Sequence, residues 1–86
     1  MFTLKILTPN ELYFEGPVEY VQAPGFHGYL GILQNHAPYV TPVTKGRLTY
    51  RQTDGKTSTV QVEGGFLEVL KNRALVLTDK VQAVVA

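Results

Sequence analysis

The chain has 86 residues, 44% hydrophobic and 17% charged, with eight basic and seven acidic residues, a formal net charge of +1 and no cysteine. These values describe a globular chain rather than a disordered one. They exclude disulfides and thiolate chemistry, and leave no basic field for nucleic acid or acidic tail.

One domain, residues 1–86, is expected, burying roughly 60–65% of the surface that its unfolded chain exposes. No apolar run approaches the roughly 18 residues of a transmembrane helix, and the opening Met1–Lys5 lacks a signal-peptide pattern. A soluble cytosolic domain is expected, reaching a membrane only through a partner.

Phe2, Leu4 and Ile6 alternate with Thr3 and Lys5, the pattern of a half-buried strand. Thr8–Asn10 breaks it. Leu12–Phe14 is a second short run, ended by Gly16 and Pro17. Val18–Ala23 is a third, with Val21 and Ala23 facing opposite to Tyr20 and Gln22. A glycine-rich stretch follows, with a short strand expected at Tyr29–Leu33. Tyr39–Val43 is extended, because Pro42 forbids a helix interior. Gly46 starts another strand, and Asp54-Gly55 is the strongest local hairpin signal. Thr57–Val62 returns from it. Gly64 and Gly65 mark a bend or bulge before Phe66–Leu70.

After Gly65 the apolar spacing also fits a helical face. Asn72, Thr78-Asp79 and the abundant valines favour three strands instead. Nine or ten short strands separated by glycine and proline turns indicate an all-β sandwich or barrel.

Ala23–Pro38 carries what is distinctive. It holds Gly25, Gly28 and Gly31 at every third position, two prolines and both histidines. Pro24-Gly25 suits a type II turn with a positive φ at Gly25. The spacing of the glycines suits a chain passing close to another surface. A tip of Phe26, His27 and Tyr29 has the character of a contact surface, whereas His36 fits a loop-fixing hydrogen-bond donor.

Catalytic constellations are missing. Ser58 is the only serine and has no nucleophile elbow around it. The histidines lie nine residues apart with no acid between them, and the carboxylates are scattered. The triplet Gly25, Gly28 and Gly31 has no Lys-Ser or Lys-Thr directly after it and no helix to offer an N-terminus, so it forms no phosphate loop. No cofactor or metal is expected.

Pro24–Pro38, reading PGFHGYLGILQNHAP, resembles the signature of the epsilon subunit of F-type ATP synthase, called delta in mitochondria. Leu7–Asn10, Val18–Pro24, Thr44–Leu48, Glu63–Val69 and Leu77–Asp79 agree with that family in order. The resemblance covers essentially the whole chain. It implies a β-sandwich of two packed, mostly antiparallel sheets with about ten short strands. It implies a non-catalytic subunit at the foot of the rotor, packed on the gamma subunit and touching the c-ring. In a bacterium that is peripheral, at the cytoplasmic face of the plasma membrane, in the F1 sector. Position by position, Phe26, His27, Gly28 and Tyr29 would meet the c-ring. Thr8, His36, Pro38 and Tyr39, with neighbouring apolar groups, would meet gamma.

Two positions depart from the family. Tyr29 stands where an acidic residue is frequent, and Gln34 where proline is common. Many members continue into a C-terminal helical hairpin that restrains ATP hydrolysis. This sequence stops at Ala86, so no hairpin-based inhibition is expected of it. The competing reading is a standalone β-domain that binds a glycan or an oligonucleotide through the aromatic loop. Lys45, Arg47 and Arg51 are its nearest approach to a basic face.

Overall fold

In a computed structural model, which describes residues 1–33 and 37–84, alternating and β-branched sequence forms seven strands. They are β1 (Phe2–Leu7), β2 (Leu12–Gly25), β3 (Gly28–Leu33), β4 (Tyr39–Gln52), β5 (Thr57–Leu70), β6 (Arg73–Leu77) and β7 (Val81–Ala83). No helix occurs among the described residues, so the stretch after Gly65 is strand, as the valines and turns predict.

Seven strands replace the expected ten because three of them are 14 residues long. Gly16-Pro17, Thr44–Gly46 and Gly64-Gly65 lie inside β2, β4 and β5 instead of ending them. Each long strand runs on through the residues expected to end it. In β5, Gly64 and Gly65 take φ of 86° and 126°, conformations closed to most side chains. The buried positions are Val60 and Val62 before this corner and Leu67 and Val69 after it, so the inward phase changes across it. Strand β4 turns beside it, from Val43 to Leu48 and Tyr50. In β2 the register against β4 shifts between Val18 and Tyr20, the mark of a bulge. That shift places Val18, Val21 and Ala23 in the core together.

The bends change the architecture. Strands β1, β6, β5, β4 and β2 are neighbours in that order, and β1 pairs with β2 to close the ring. Two separate packed sheets were expected; a closed five-stranded barrel is found, with β3 added on β2 and β7 on β5. Long strands that carry hydrogen bonding around the corners leave no gap to divide the layers. All pairings are antiparallel except β1 with β6. Each strand proline sits where its strand has a partner on one side only. Pro17 lies before the β2–β4 ladder begins, Pro24 lies after it ends, and Pro42 is paired only with β5.

Leu4, Ile6, Val21, Leu48, Val62, Leu67 and Val76 are among the fully buried side chains that fill the ring. Tyr50 closes one end, its ring 4.5 Å from that of Phe14. Burial raises the Tyr50 phenol above its ordinary value of 10.0, against an opposing pull from its hydrogen bond to Ser58 and a smaller push from Tyr13. The folded chain therefore keeps this proton to higher pH than the unfolded chain. The associated stability is complete below about pH 10 and is lost as pH rises through the folded value. Urea unfolding at pH 8 and pH 11 checks this: Tyr50→Phe is expected to lose less stability between the two than the parent chain. Equal losses would refute it.

Candidate functional site

Two surfaces stand out, one local in sequence and one assembled across the barrel. The first is the β2–β3 hairpin. Gly25 pairs with Gly28, leaving Phe26 and His27 as the turn. Neither has positive φ, whereas Gly28 has φ of 110°. This is a turn of type I character with its left-handed glycine after the central pair. The expected positive φ is therefore at Gly28 and not at Gly25. Pro24 does not open the turn; it is buried in β2, and a Cβ on Gly46 would lie 3.1 Å from its own Cβ.

The hairpin brings Phe26, His27, Gly28 and Tyr29 together at one exposed tip. Phe26 is 72% exposed and Tyr29 is 59% exposed. Large aromatic groups held out on a tight turn have little conformational freedom to lose in a contact. Leu33, at the other end of β3, extends the same apolar surface.

The second surface was not read from the sequence. Cross-strand register aligns Leu12 with Leu7, Leu7 with Leu77, Leu77 with Phe66, and Phe66 with Pro42. These residues form one row across the outside of β2, β1, β6, β5 and β4. Four strand spacings make it about 19 Å long. Leu12, Leu77 and Phe66 are about half exposed. Beside it a groove of about 520 Å³ is lined by Leu7, Thr8, Pro9, Phe66, Leu77 and Asp79, among others. The next row, Glu15, Lys5, Leu75, Glu68 and Val40, mixes charged and apolar groups. Apolar groups aligned over five strands and rimmed by charges mark a surface built to be covered.

The residues expected near gamma bracket this row. Thr8 follows Leu7 and lines the groove. Its hydroxyl also accepts the Asn10 and Glu11 N–H groups at 3.3 and 3.1 Å, which holds the β1–β2 turn. Pro38 and Tyr39 lie at the start of β4 on the far side of the row, both exposed. Thr8 follows β1 and Tyr39 starts β4, strands that do not pair with each other. His36 lies outside the described residues.

The opposite outer wall is polar. Arg47, Thr49 and Arg51 of β4 face Gln61, Thr59 and Thr57 of β5. The Thr49 and Thr59 hydroxyls lie 3.1 Å apart. Arg51 pairs with Glu19 at 2.7 Å, and Lys45 with Glu63 at 3.7 Å. Two of the three cations nearest to a nucleic-acid face are thus neutralised by carboxylates. A polar recess of about 300 Å³ lies near Thr8, Glu11, Glu63, Asp79 and Lys80. Among the described residues no group of three or more His, Asp or Glu is placed to hold a metal ion.

Comparison with known proteins agrees with the fold. The family described as "ATP synthase, Delta/Epsilon chain, beta-sandwich domain" matches residues 1–84. The ATP synthase epsilon chain of Chlorobaculum tepidum is 40% identical over 80 residues, covering 93% of this chain and 91% of that protein. The epsilon chain of Nitratidesulfovibrio vulgaris is 42% identical over 79 residues, covering 92% of this chain but 58% of the relative. A chain in the Euglena gracilis mitochondrial ATP synthase assembly of OSCP, F1 and c-ring superposes with a TM-score of 0.88 at 22% identity, covering 93% of this chain and 51% of its own. One in the central stalk and c-ring of the Tetrahymena thermophila enzyme gives 0.80 at 18% identity, over 93% and 64%. At those identities the structures support the fold alone.

Proposed function

The chain belongs to the ATP synthase delta/epsilon chain family, and from that membership we propose that it is a non-catalytic subunit of the central stalk of an F-type ATP synthase. It joins the gamma subunit to the c-ring and helps to couple ion-driven rotation to ATP synthesis. It acts at the cytoplasmic face of a bacterial plasma membrane, peripheral and held there by the complex.

The observation that carries this reading is the five-strand apolar row, exposed on the free chain and in need of a cover. We assign the row to gamma, with Thr8 on one side of it and Pro38 and Tyr39 on the other. The Phe26–Tyr29 tip meets the polar loops of the c-ring. Tyr29 there makes an aromatic or hydrogen-bonding contact where an acidic residue would make an ionic one. Pairing of Lys45 with Glu63 and of Arg51 with Glu19 weakens the oligonucleotide alternative.

Size-exclusion chromatography with light scattering on the purified chain mixed with gamma tests the assignment. A one-to-one complex supports it, and a chain that stays monomeric beside folded gamma overturns it. For the tip, Gly28 is a poor probe, because its φ of 110° makes any side chain there a folding defect as well. Phe26→Ser is a cleaner one. It is expected to change stability by less than about 0.5 kcal/mol while weakening crosslinking from the tip to the c-ring. Undiminished crosslinking would remove Phe26 from the contact.

A further inference from the structure

Strand β3 ends the sheet. It pairs with β2 through Tyr20–Gly25, and among the described residues no strand lies on its other edge. An open edge presents unpaired N–H and C=O groups, and proteins usually blunt it with charge, proline or shortness. The other edges here follow that rule. The first half of β4 carries Pro42 and then Lys45, and β7 is three residues long, beside Asp79 and Lys80. Strand β3 reads Gly-Tyr-Leu-Gly-Ile-Leu, with neither charge nor proline.

The edge is also self-complementary. Tyr29, Gly31 and Leu33 face outward, Tyr29 and Leu33 about 60% exposed, while Leu30 and Ile32 turn inward with Ile32 buried. Gly31 is at the centre of this pattern. A Cβ there would lie 3.5 Å from the Tyr20 ring, so that ring already covers the glycine from the neighbouring strand. Two such strands set antiparallel about Gly31 place Tyr29 of one against Leu33 of the other. They also place Leu30 against Ile32. These are aromatic–aliphatic and aliphatic pairs of the kind that stabilise antiparallel strands.

We propose that free chains pair through β3, with a second copy adding its own β3 antiparallel across a two-fold axis at Gly31. The interface is isologous, so it closes at a dimer and does not propagate. It lies on the chain's own edge, and it does not depend on the stalk assignment.

Sedimentation equilibrium of the whole chain tests this, at concentrations rising from micromolar to millimolar. The mean mass is expected to climb towards twice the monomer. Leu33→Lys should return it to the monomer, and Thr57→Lys, the same charge on the polar wall, should not. Register is tested by cysteine, which the natural chain lacks. Gly31→Cys should give a disulfide-linked dimer. At the two exposed sites, Tyr29→Cys and Leu33→Cys should crosslink only when combined in one chain, which keeps the test valid if the Gly31 variant folds poorly. A monomer at every concentration overturns the proposal. So does a dimer indifferent to Leu33→Lys, or crosslinking that ignores register.

Discussion

Gly65→Ala is expected to cost the fold about 2–4 kcal/mol and to lower the midpoint of thermal unfolding by on the order of 10–30 °C. Two effects act together. Gly65 has φ of 126°, where an L side chain is strained whatever the space around it. Its new Cβ would also overlap the Leu77 carbonyl oxygen and lie 2.8 Å from the carbonyl carbon, both main-chain atoms that cannot swing away. Relief requires β5 and β6 to separate at Phe66 and Leu77, next to buried Leu67 and Val76. Gly31→Ala is the contrast. It has no positive φ, and its Cβ meets the Tyr20 ring at an ordinary 3.5 Å. Thermal circular dichroism of the two variants should therefore separate them widely. Similar melting points would mean that the β5 corner relaxes far more easily than its geometry indicates.

Phe66→Asp is expected to weaken gamma binding by about 30-fold or more, the effect of losing a contact worth about 2 kcal/mol. Phe66 is the largest side chain of the apolar row, 54% exposed, with Leu77 and Pro42 on either side. A carboxylate there would be desolvated under a partner with nothing on the row to pair with it. In the free chain it stays in water, so folding should change little. Thr57→Asp, on the polar wall, should leave the affinity unchanged. Titration of gamma with both variants decides the matter. Equal affinities would move the interface elsewhere on the barrel.

Local signals in the sequence located most of the strands. Asp54-Gly55 closes its hairpin: the Gly55 N–H donates to the Gln52 carbonyl at 2.9 Å, and Gly55 takes φ of 92°. Asn72 turns β5 into β6 with φ of 62°. The opposed facing of Val21 and Ala23 against Tyr20 and Gln22 is also found. The strand count failed where a glycine or proline bends a strand without ending it, because continuity depends on the partner strand and not on the residue. Barrel closure depends on β1 meeting both β2 and β6, which no local pattern encodes.

The hairpin tip was legible because its four residues are consecutive. The apolar row was not, since each of its five strands contributes one residue. A trace of it does exist. Ile6-Leu7, Phe66-Leu67 and Val76-Leu77 each put an apolar group on both faces of a strand. Such doublets break the alternation of a half-wet strand and point to a second covered face.

Closure of the ring has a kinetic consequence. Thr3 pairs with Arg73 and Leu7 with Leu77, so β1 finds its parallel partner nearly a whole chain length away. Hairpins such as β2–β3 and β4–β5 can form as soon as they are made, but the last seam waits for β6. Contacts this distant bear their loop entropy before they return any stabilisation, which places the chain among slow, non-local folders. During synthesis on the ribosome, β1 would hold only β2 until residue 77 emerged. Refolding in vitro should show the same order, with amides of the β4–β5 hairpin protected from exchange before those of β6.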